Sequence, residues 1–451
     1  MTAVADSDAP LEDSARPPRP AARFAHYAGI IFVVLLLAWL ALIFWNSAKP
    51  LPPGTHIASL TSRLPESDVD FLYESPQREG IRTAETAAID RAEQLIVLDR
   101  SPVTRELGQH LSARKRLRPN LKIVLVTDPG NAAFGGTPPA TLNFLERSGI
   151  IVARVRLDRL RDSNPLYSGF WRLLFGWWSD PFDEPAGRVS LTAWSRMQNR
   201  KADQRQLVIA DDGAGGWNAV IAPAGAPAGL ILRGSLARAM IASELQIAAW
   251  STDDDRIPPT PPMDVRGVGT IDARFLTEGA IATALIDAIG AAGNGDEILV
   301  AVENLSDRRL IAAALGAAAR GAHLQLLLAR NRMPNQPVAG ELLRGGGGRI
   351  EVRWYPVVPG TLRSNLLVVR HRTDLWVNFG SAAFTRRGLE DLNLESNVEL
   401  RMPARAAAAR AVSDYFARAW AGAAADSGSA DESAGAYWRY RFAEATGLSS
   451  F

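Results

Sequence analysis

The residues with most to offer chemically gather between Thr361 and Leu400. This stretch holds Arg363, Arg370 and Arg386, the hydroxyl of Ser381 and the imidazole of His371. A planar guanidinium suits two-pronged contact with a phosphate, whereas an imidazole is a nucleophile and proton carrier near neutral pH. Anion binding is therefore well supplied and acid–base chemistry poorly. The chain has five histidines and no cysteine, which excludes structural disulfides and thiolate metal sites and leaves little for a histidine-based zinc site. No metal and no cofactor are expected. A net charge of +2 gives no reason to propose nucleic acid, and 47% hydrophobic with 22% charged residues is the composition of a globular protein.

The elements that must position these residues follow from the apolar pattern. Leu366–Val369 and Leu375–Phe379 read as buried strands around a charged turn, Arg370–Asp374, in which His371 is expected to be an exposed turn residue. The small-residue elbow Gly380-Ser381-Ala382-Ala383 follows, and a third strand begins at Asn397. Continuous apolar runs bounded by turns indicate sheets covered on both faces. Upstream, strands alternate with helices: Leu95–Leu98, Lys122–Val126 and Ile150–Arg156 in one half, Ile298–Ala301, Leu324–Ala329 and Ile350–Tyr355 in the other. Ala88-Ile89-Asp90 pairs with Leu285-Ile286-Asp287, and Lys122–Leu125 with Leu324–Leu327, which predicts an internal duplication in an α/β protein.

The order of parts resembles the phospholipase D superfamily, including its cardiolipin synthase-like members, whose signature is His-x-Lys-x4-Asp followed by Gly-Ser-x-Asn. Phe384-Thr385-Arg386-Arg387-Gly388-Leu389 and Asn393-Leu394-Glu395 fit the stretch that follows this signature. The reactive positions do not fit. In the second half histidine, lysine and aspartate fall on Arg363, Asn365 and Arg370, and the asparagine on Ala383. In the first half they fall on Gln204, Gln206 and Asp211, and Ala222-Pro223-Ala224-Gly225 replaces the Ser-x-Asn. Active relatives use one histidine to attack phosphorus and the other to protonate the leaving alcohol. Gln204 is neither basic nor nucleophilic, and Arg363 cannot release its proton.

The resemblance thus implies two phospholipase D-like repeats, each a mixed β-sheet flanked by helices, about a pseudo-two-fold axis. It implies a cleft that binds without catalysing, with no confident catalytic residue. Arg205, Arg363, Arg370, Ser381 and Arg386 are the phosphate-binding candidates. An active phosphodiesterase or phosphatidyltransferase acting on phospholipids is the alternative, and a purely structural envelope protein a third reading. The expected partner is membrane phospholipid, with a protein partner as a second possibility.

The expected organisation is a disordered tail over 1–27, a transmembrane anchor over 28–46, a first repeat over 55–255, a Pro/Gly linker over 256–269, a second repeat over 270–420, and a flexible tail with an aromatic end over 421–451. Ala28–Trp45 is an unbroken apolar run long enough to cross a bilayer. A cleaved signal peptide is the rival reading; the long polar leader and the lack of an Ala-x-Ala site favour an uncleaved anchor. Arg16, Arg19 and Arg23 precede the span and Lys49 follows it, which places the N-terminus in the cytoplasm and the body in the periplasm of a bacterial inner membrane. Tyr167, Phe170, Trp171, Leu174 and Trp178 recur at helical spacing, as on an interfacial helix dipping among headgroups or one capping the cleft.

Overall fold

The structure, a computed structural model, describes residues 20–56, 64–66, 68–73, 79–128, 136–174, 199, 201–223, 225–261, 269–330, 333–355, 365–425, 430 and 433–446. Arg363, Trp178 and the side chains of Tyr167, Trp171 and Leu174 lie outside the described residues.

The chain opens with α1 (Pro20–Ala48), whose part Phe24–Ala48 is long and apolar enough to cross a membrane. The first half then comprises β1 (Leu64–Glu66), β2 (Val69–Tyr73), α2 (Glu79–Arg91), β3 (Leu95–Asp99), α3 (Arg105–Leu117), β4 (Lys122–Thr127), α4 (Pro139–Arg147), β5 (Ile151–Arg154), α5 (Pro165–Leu174), β6 (Leu207–Asp211), β7 (Trp217–Ile221), β8 (Ala228–Arg233) and α6 (Ser235–Ser251). The second half comprises β9 (Ile271–Thr277), α7 (Gly279–Ala291), β10 (Glu297–Val302), α8 (Arg308–Ala319), β11 (His323–Ala329), α9 (Asn335–Gly345), β12 (Ile350–Tyr355), β13 (Asn365–Arg370), β14 (Asp374–Gly380), the short α10 (Arg386–Leu389), β15 (Ser396–Pro403) and α11 (Ala407–Ala421). The last element, α12, is Ala434–Thr446.

The duplication is visible in the strand order. One sheet runs β2-β8-β7-β6-β3-β4-β5, and the other runs β1-β9-β15-β14-β13-β10-β11-β12. Apart from β1, the two orders superpose strand for strand. In each, three parallel strands join an antiparallel set: β3-β4-β5 meets β6, and β10-β11-β12 meets β13. The parallel strands need crossovers, which α3, α4, α8 and α9 supply.

Side-chain alternation along each strand divides the core. Leu95 and Val97 face inward with Leu299 and Ala301, into one cluster shared by both sheets. Ile96 and Leu98 point the other way under α2–α4, as do Ile298, Val300 and Val302 under α7–α9. Two helices, α6 and α11, belong to the shared inner layer. The former is apolar on almost every side, with Leu236, Met240, Ile241, Leu245, Ile247 and Trp250 all buried, as a helix enclosed by other elements must be.

Two features join the halves. Strand β1, from the start of the first half, pairs antiparallel with β9 of the second sheet. Phe71 of β2 packs edge-on against Phe379 of β14, with ring centroids 5.4 Å apart. The aromatic C-terminal segment is also built in: Tyr440 of α12 is fully buried, and its hydroxyl donates to the Ser306 carbonyl at 2.8 Å.

Candidate functional site

The remnants of the two signatures lie at the seam between the repeats. In the first, the Gln204 N–H donates to the Leu394 carbonyl at 2.9 Å, and the Leu394 N–H returns to Ala202 at 3.0 Å. These two bonds stitch the strand entering β6 to the segment before β15. The Gln204 side chain is exposed, whereas Gln206 is buried with its amide donating to the Ser101 carbonyl at 2.9 Å. Asp211 has a different task at the far end of β6. Its carboxylate accepts from the N–H groups of Glu93 (3.0 Å), Gln94 (2.8 Å), Leu95 (2.7 Å) and Gly213 (3.1 Å), closing the turn into β3. That structural work gives a physical reason for an aspartate at this position.

In the second repeat, Asn365 donates to the Ser381 carbonyl at 2.6 Å, and its Oδ1 meets no hydrogen-bond partner among the described residues. Ser381 in turn donates to Glu395 at 2.6 Å. Gly380 is imposed by packing, since a Cβ there would run into the Ser396 carbonyl and Asn397. The elbow and the Asn-Leu-Glu segment are therefore one packed unit.

A buried polar path connects the two remnants. The Glu395 N–H donates to Glu278 at 3.1 Å, and Arg205 donates to the same Glu278 oxygen at 2.6 Å. Arg205 also donates to Ser243 (3.0 Å) and Glu244 (2.9 Å), and it is fully buried. It is thus sealed between carboxylates and does not present itself to a phosphate, contrary to the expectation from sequence. Burial opposes its charge, but Glu278 and Glu244 hold its pKa above the ordinary value.

One guanidinium cannot neutralise every carboxyl here. Burial pushes Asp99 and Asp203 well above the usual carboxylate range, and Glu244 upward too. The neighbouring Asp203 and Glu244 carboxyls push Asp99 the same way as burial. Burial likewise raises Glu395 to about 8.

The backbone at the seam is strained. Among the described residues, the non-glycine positions with positive φ are His56 (52°), Glu278 (45°) and Asp391 (59°), and they meet here. The His56 N–H donates to Glu278 at 2.6 Å, its Nδ1 lies 3.0 Å from Asp391, and the Gly279 N–H donates to Asp391 at 2.8 Å. Such conformations persist where the surroundings over-determine them.

The remaining candidates separate. Arg370 lies at the opposite end of β13 from Asn365, exposed and paired with Glu297 at 2.6 Å. His371, at that same end, is 2.8 Å from Asp296. At about 3.3 Å per residue, His371 is roughly 20 Å from Asn365 along the strand, so neither residue reaches the elbow. Arg370, expected among the phosphate-binding candidates, therefore lies away from the seam. Arg386 stays near the seam, bonded to Glu390 (2.9 Å) and to the Ser163 carbonyl (3.2 Å).

Sequence reasoning missed Glu278, Glu244 and Asp99. Each is a single acidic residue in an apolar surrounding, and its partner, Arg205, is distant in sequence. Glu278, just before α7, carries the one local signal, an acidic residue at a helix start.

This architecture, two like sheets meeting at a polar seam, defines a phospholipase D-like fold. It is similar over 86% of this chain and 90% of the other to the crystal structure of phosphatidylserine synthase from Haemophilus influenzae Rd KW20, with a TM-score of 0.52 and 10% identity. The phospholipase D family member Nuc from Salmonella typhimurium aligns with 34% of this chain and 96% of its own at 16% identity and a TM-score of 0.28. No curated protein matches the chain. Within this fold, residues 285–420, most of the second repeat, match the family described as cardiolipin synthase, PLD-like domain.

Proposed function

We propose that this is a membrane-anchored phospholipase D-like pseudoenzyme that binds phospholipid headgroups. The observation that carries the reading is the state of the signature positions. Gln206 and Asn365 are amides committed to backbone carbonyls, Gln204 bridges the repeats through its N–H, and Asp211 closes a turn. An amide at neutral pH neither attacks phosphorus nor shuttles a proton. His371 offers no substitute at the far end of β13. The anchor reading is supported by α1, which is apolar and exposed along most of its length. Its polarity, N-terminus in the cytoplasm and body in the periplasm of a bacterial inner membrane, is supported by the arginines before the span.

The test is hydrolysis or headgroup exchange of phosphatidylglycerol by the purified protein, alongside flotation on anionic and zwitterionic vesicles. The reading requires membrane association without turnover above background. Turnover abolished by Gln204→Ala or Arg363→Ala overturns it.

A further inference from the structure

The apolar pattern of α1 leaves it little freedom of depth. Its apolar part is bounded by Arg23 on one side and by Asn46 on the other. At 1.5 Å per residue, Phe24–Trp45 is about 33 Å long, against about 30 Å for the hydrocarbon of a bilayer. The helix can therefore slide by about 3 Å, and any tilt narrows that margin. Trp39 lies roughly 10 Å back from Asn46, so it stays at least about 6 Å inside the hydrocarbon wherever the helix settles.

A second helix reaches the same depth. The chain leaving α1 is clamped at once to the body: the Asp162 N–H donates to the Asn46 carbonyl at 3.1 Å, and Arg161 donates to the Lys49 carbonyl at 3.1 Å. From Pro165, α5 turns back along α1. Gly169 lies so close that a Cβ would sit 2.7 Å from Trp39 Nε1 and 2.8 Å from Ile43 Cγ1. Small residues at such crossings are what lets helices in lipid approach closely. The two helices run antiparallel from one root, and α5 cannot stay in water while Trp39 is in lipid.

The residues of α5 suit that setting. Its one charged residue is Arg172. The Arg172 Nε donates to Ser168 Oγ at 3.2 Å and its Nη2 is 3.7 Å from Asp162, so the guanidinium bends back toward the root of the helix. That is how a long cationic side chain on an embedded helix returns to the interface. Ser168 is fully buried, whereas Phe170, beside Gly169, is 54% exposed. At ten residues α5 is about 15 Å long, half of what a crossing requires.

We propose that α5 is a second membrane-embedded helix, an arm that enters the bilayer beside α1 without crossing it and sets Phe170 among the acyl chains. The root of this pair adjoins the seam. The Ser163 carbonyl accepts from Arg386 at 3.2 Å, Arg161 donates to Asp391 at 3.3 Å, and Lys201, just before the Ala202–Gln204 stretch, donates to the Leu160 carbonyl at 2.6 Å. The seam therefore opens beside the headgroups. The proposal rests on the reading of α1 as a membrane anchor and not on catalytic silence.

The chain has no cysteine, so single cysteines can be labelled in the full protein. Nitroxides are placed at Phe170→Cys, at Val33→Cys in α1 and at Leu117→Cys, the exposed last residue of α3, in vesicles of phosphatidylglycerol and phosphatidylcholine. Their collisions with oxygen, which concentrates among acyl chains, and with a water-soluble nickel chelate are compared by electron paramagnetic resonance. The oxygen-to-nickel ratio at Phe170 should match that at Val33 and exceed that at Leu117 several-fold. A ratio at Phe170 like that at Leu117, with Val33 still in lipid, overturns the proposal and leaves the anchor standing. Poor access of both reagents to Phe170 also overturns it, because the residue is then enclosed by protein. Water-like ratios at both Phe170 and Val33 end the anchor reading and the proposal with it. If Phe170→Cys does not fold, wild type in vesicles whose acyl chains carry a diazirine asks the same question. Adducts on α1 and on residues 165–174 are expected, and adducts on α1 alone overturn the proposal.

Discussion

Replacing Glu395 by glutamine should stabilise this protein at alkaline pH and leave it nearly unchanged in acid. Burial raises the Glu395 carboxyl from its ordinary 4.5 to about 8, against the pull of hydrogen bonds from Ser381 and Asn393, while the nearby Glu278 carboxylate pushes the same way as burial. A folded state that holds its proton more tightly than the unfolded state is favoured at low pH. The contribution is fully present below about 4.5 and is lost as pH rises through about 8. At 1.36 kcal/mol per pH unit, the difference between those two values corresponds to about 5 kcal/mol as an upper bound. Glutamine is close in shape to the protonated acid and has no proton to lose. Urea unfolding of wild type and Glu395→Gln, followed by tryptophan fluorescence in detergent at pH 5 and pH 9, gives the comparison. The variant should gain about 1–2 kcal/mol or more over wild type on going from acid to alkali, within that bound. A stability difference independent of pH, or one that shrinks toward alkali, would refute the assignment of a buried neutral acid.

Other expectations follow from the same seam and anchor. Arg205→Ala leaves Glu244 and Glu278 without their partner and should cost about 3–5 kcal/mol in urea unfolding, with part of the loss recovered by adding Glu278→Gln. Gly380→Ala drives a methyl group into the Ser396 carbonyl and should lower stability by about 1–3 kcal/mol, read as a lower thermal midpoint. Gly169→Leu should push α5 off α1, seen as faster hydrogen exchange over residues 165–174 with unchanged exchange in β3 and β10.

Much of the fold is written in the apolar runs. β3, β4, β10, β11 and β13 are near-continuous Val, Ile and Leu because both faces of their sheets are covered, and that pattern survives without any structure. The duplication was legible for the same reason: Lys122–Leu125 and Leu324–Leu327 do fall on equivalent strands. Less legible was β1, three residues long and lent to the other repeat's sheet, since pairing partners leave no local pattern. The inner helix α6 was equally silent, because a helix buried on most sides loses the amphipathic period that would reveal it.

The candidate site was legible in outline and misread in detail. Gln204, Gln206 and Asn365 lie near one seam, whereas Asp211 caps the turn at the far end of β6. Charge was the misleading signal. Arginine beside a signature suggests an open anion site, yet Arg205 is enclosed by carboxylates from α6 and from the turn before α7, and Arg370 points away at the other strand end. Sequence gives the sign of a side chain but not what surrounds it. Within the segment Tyr167–Trp178, read from its aromatic spacing as contacting lipid or capping the cleft, Gly169 approaches Trp39 and Ile43 of α1, a contact through a glycine that carries no hydrophobic signal.

The most direct test of the central claim is turnover on phosphatidylglycerol by the purified full chain, with phosphate-ester products followed by mass spectrometry. Losing one general acid or base typically costs about 10²–10⁴ in rate, and losing the nucleophile removes the covalent route. The protein should therefore release or exchange no headgroup above background while remaining bound to the membrane. Headgroup release that disappears in Gln204→Ala or Arg363→Ala, or in His371→Ala, would contradict the account and restore an active phosphodiesterase.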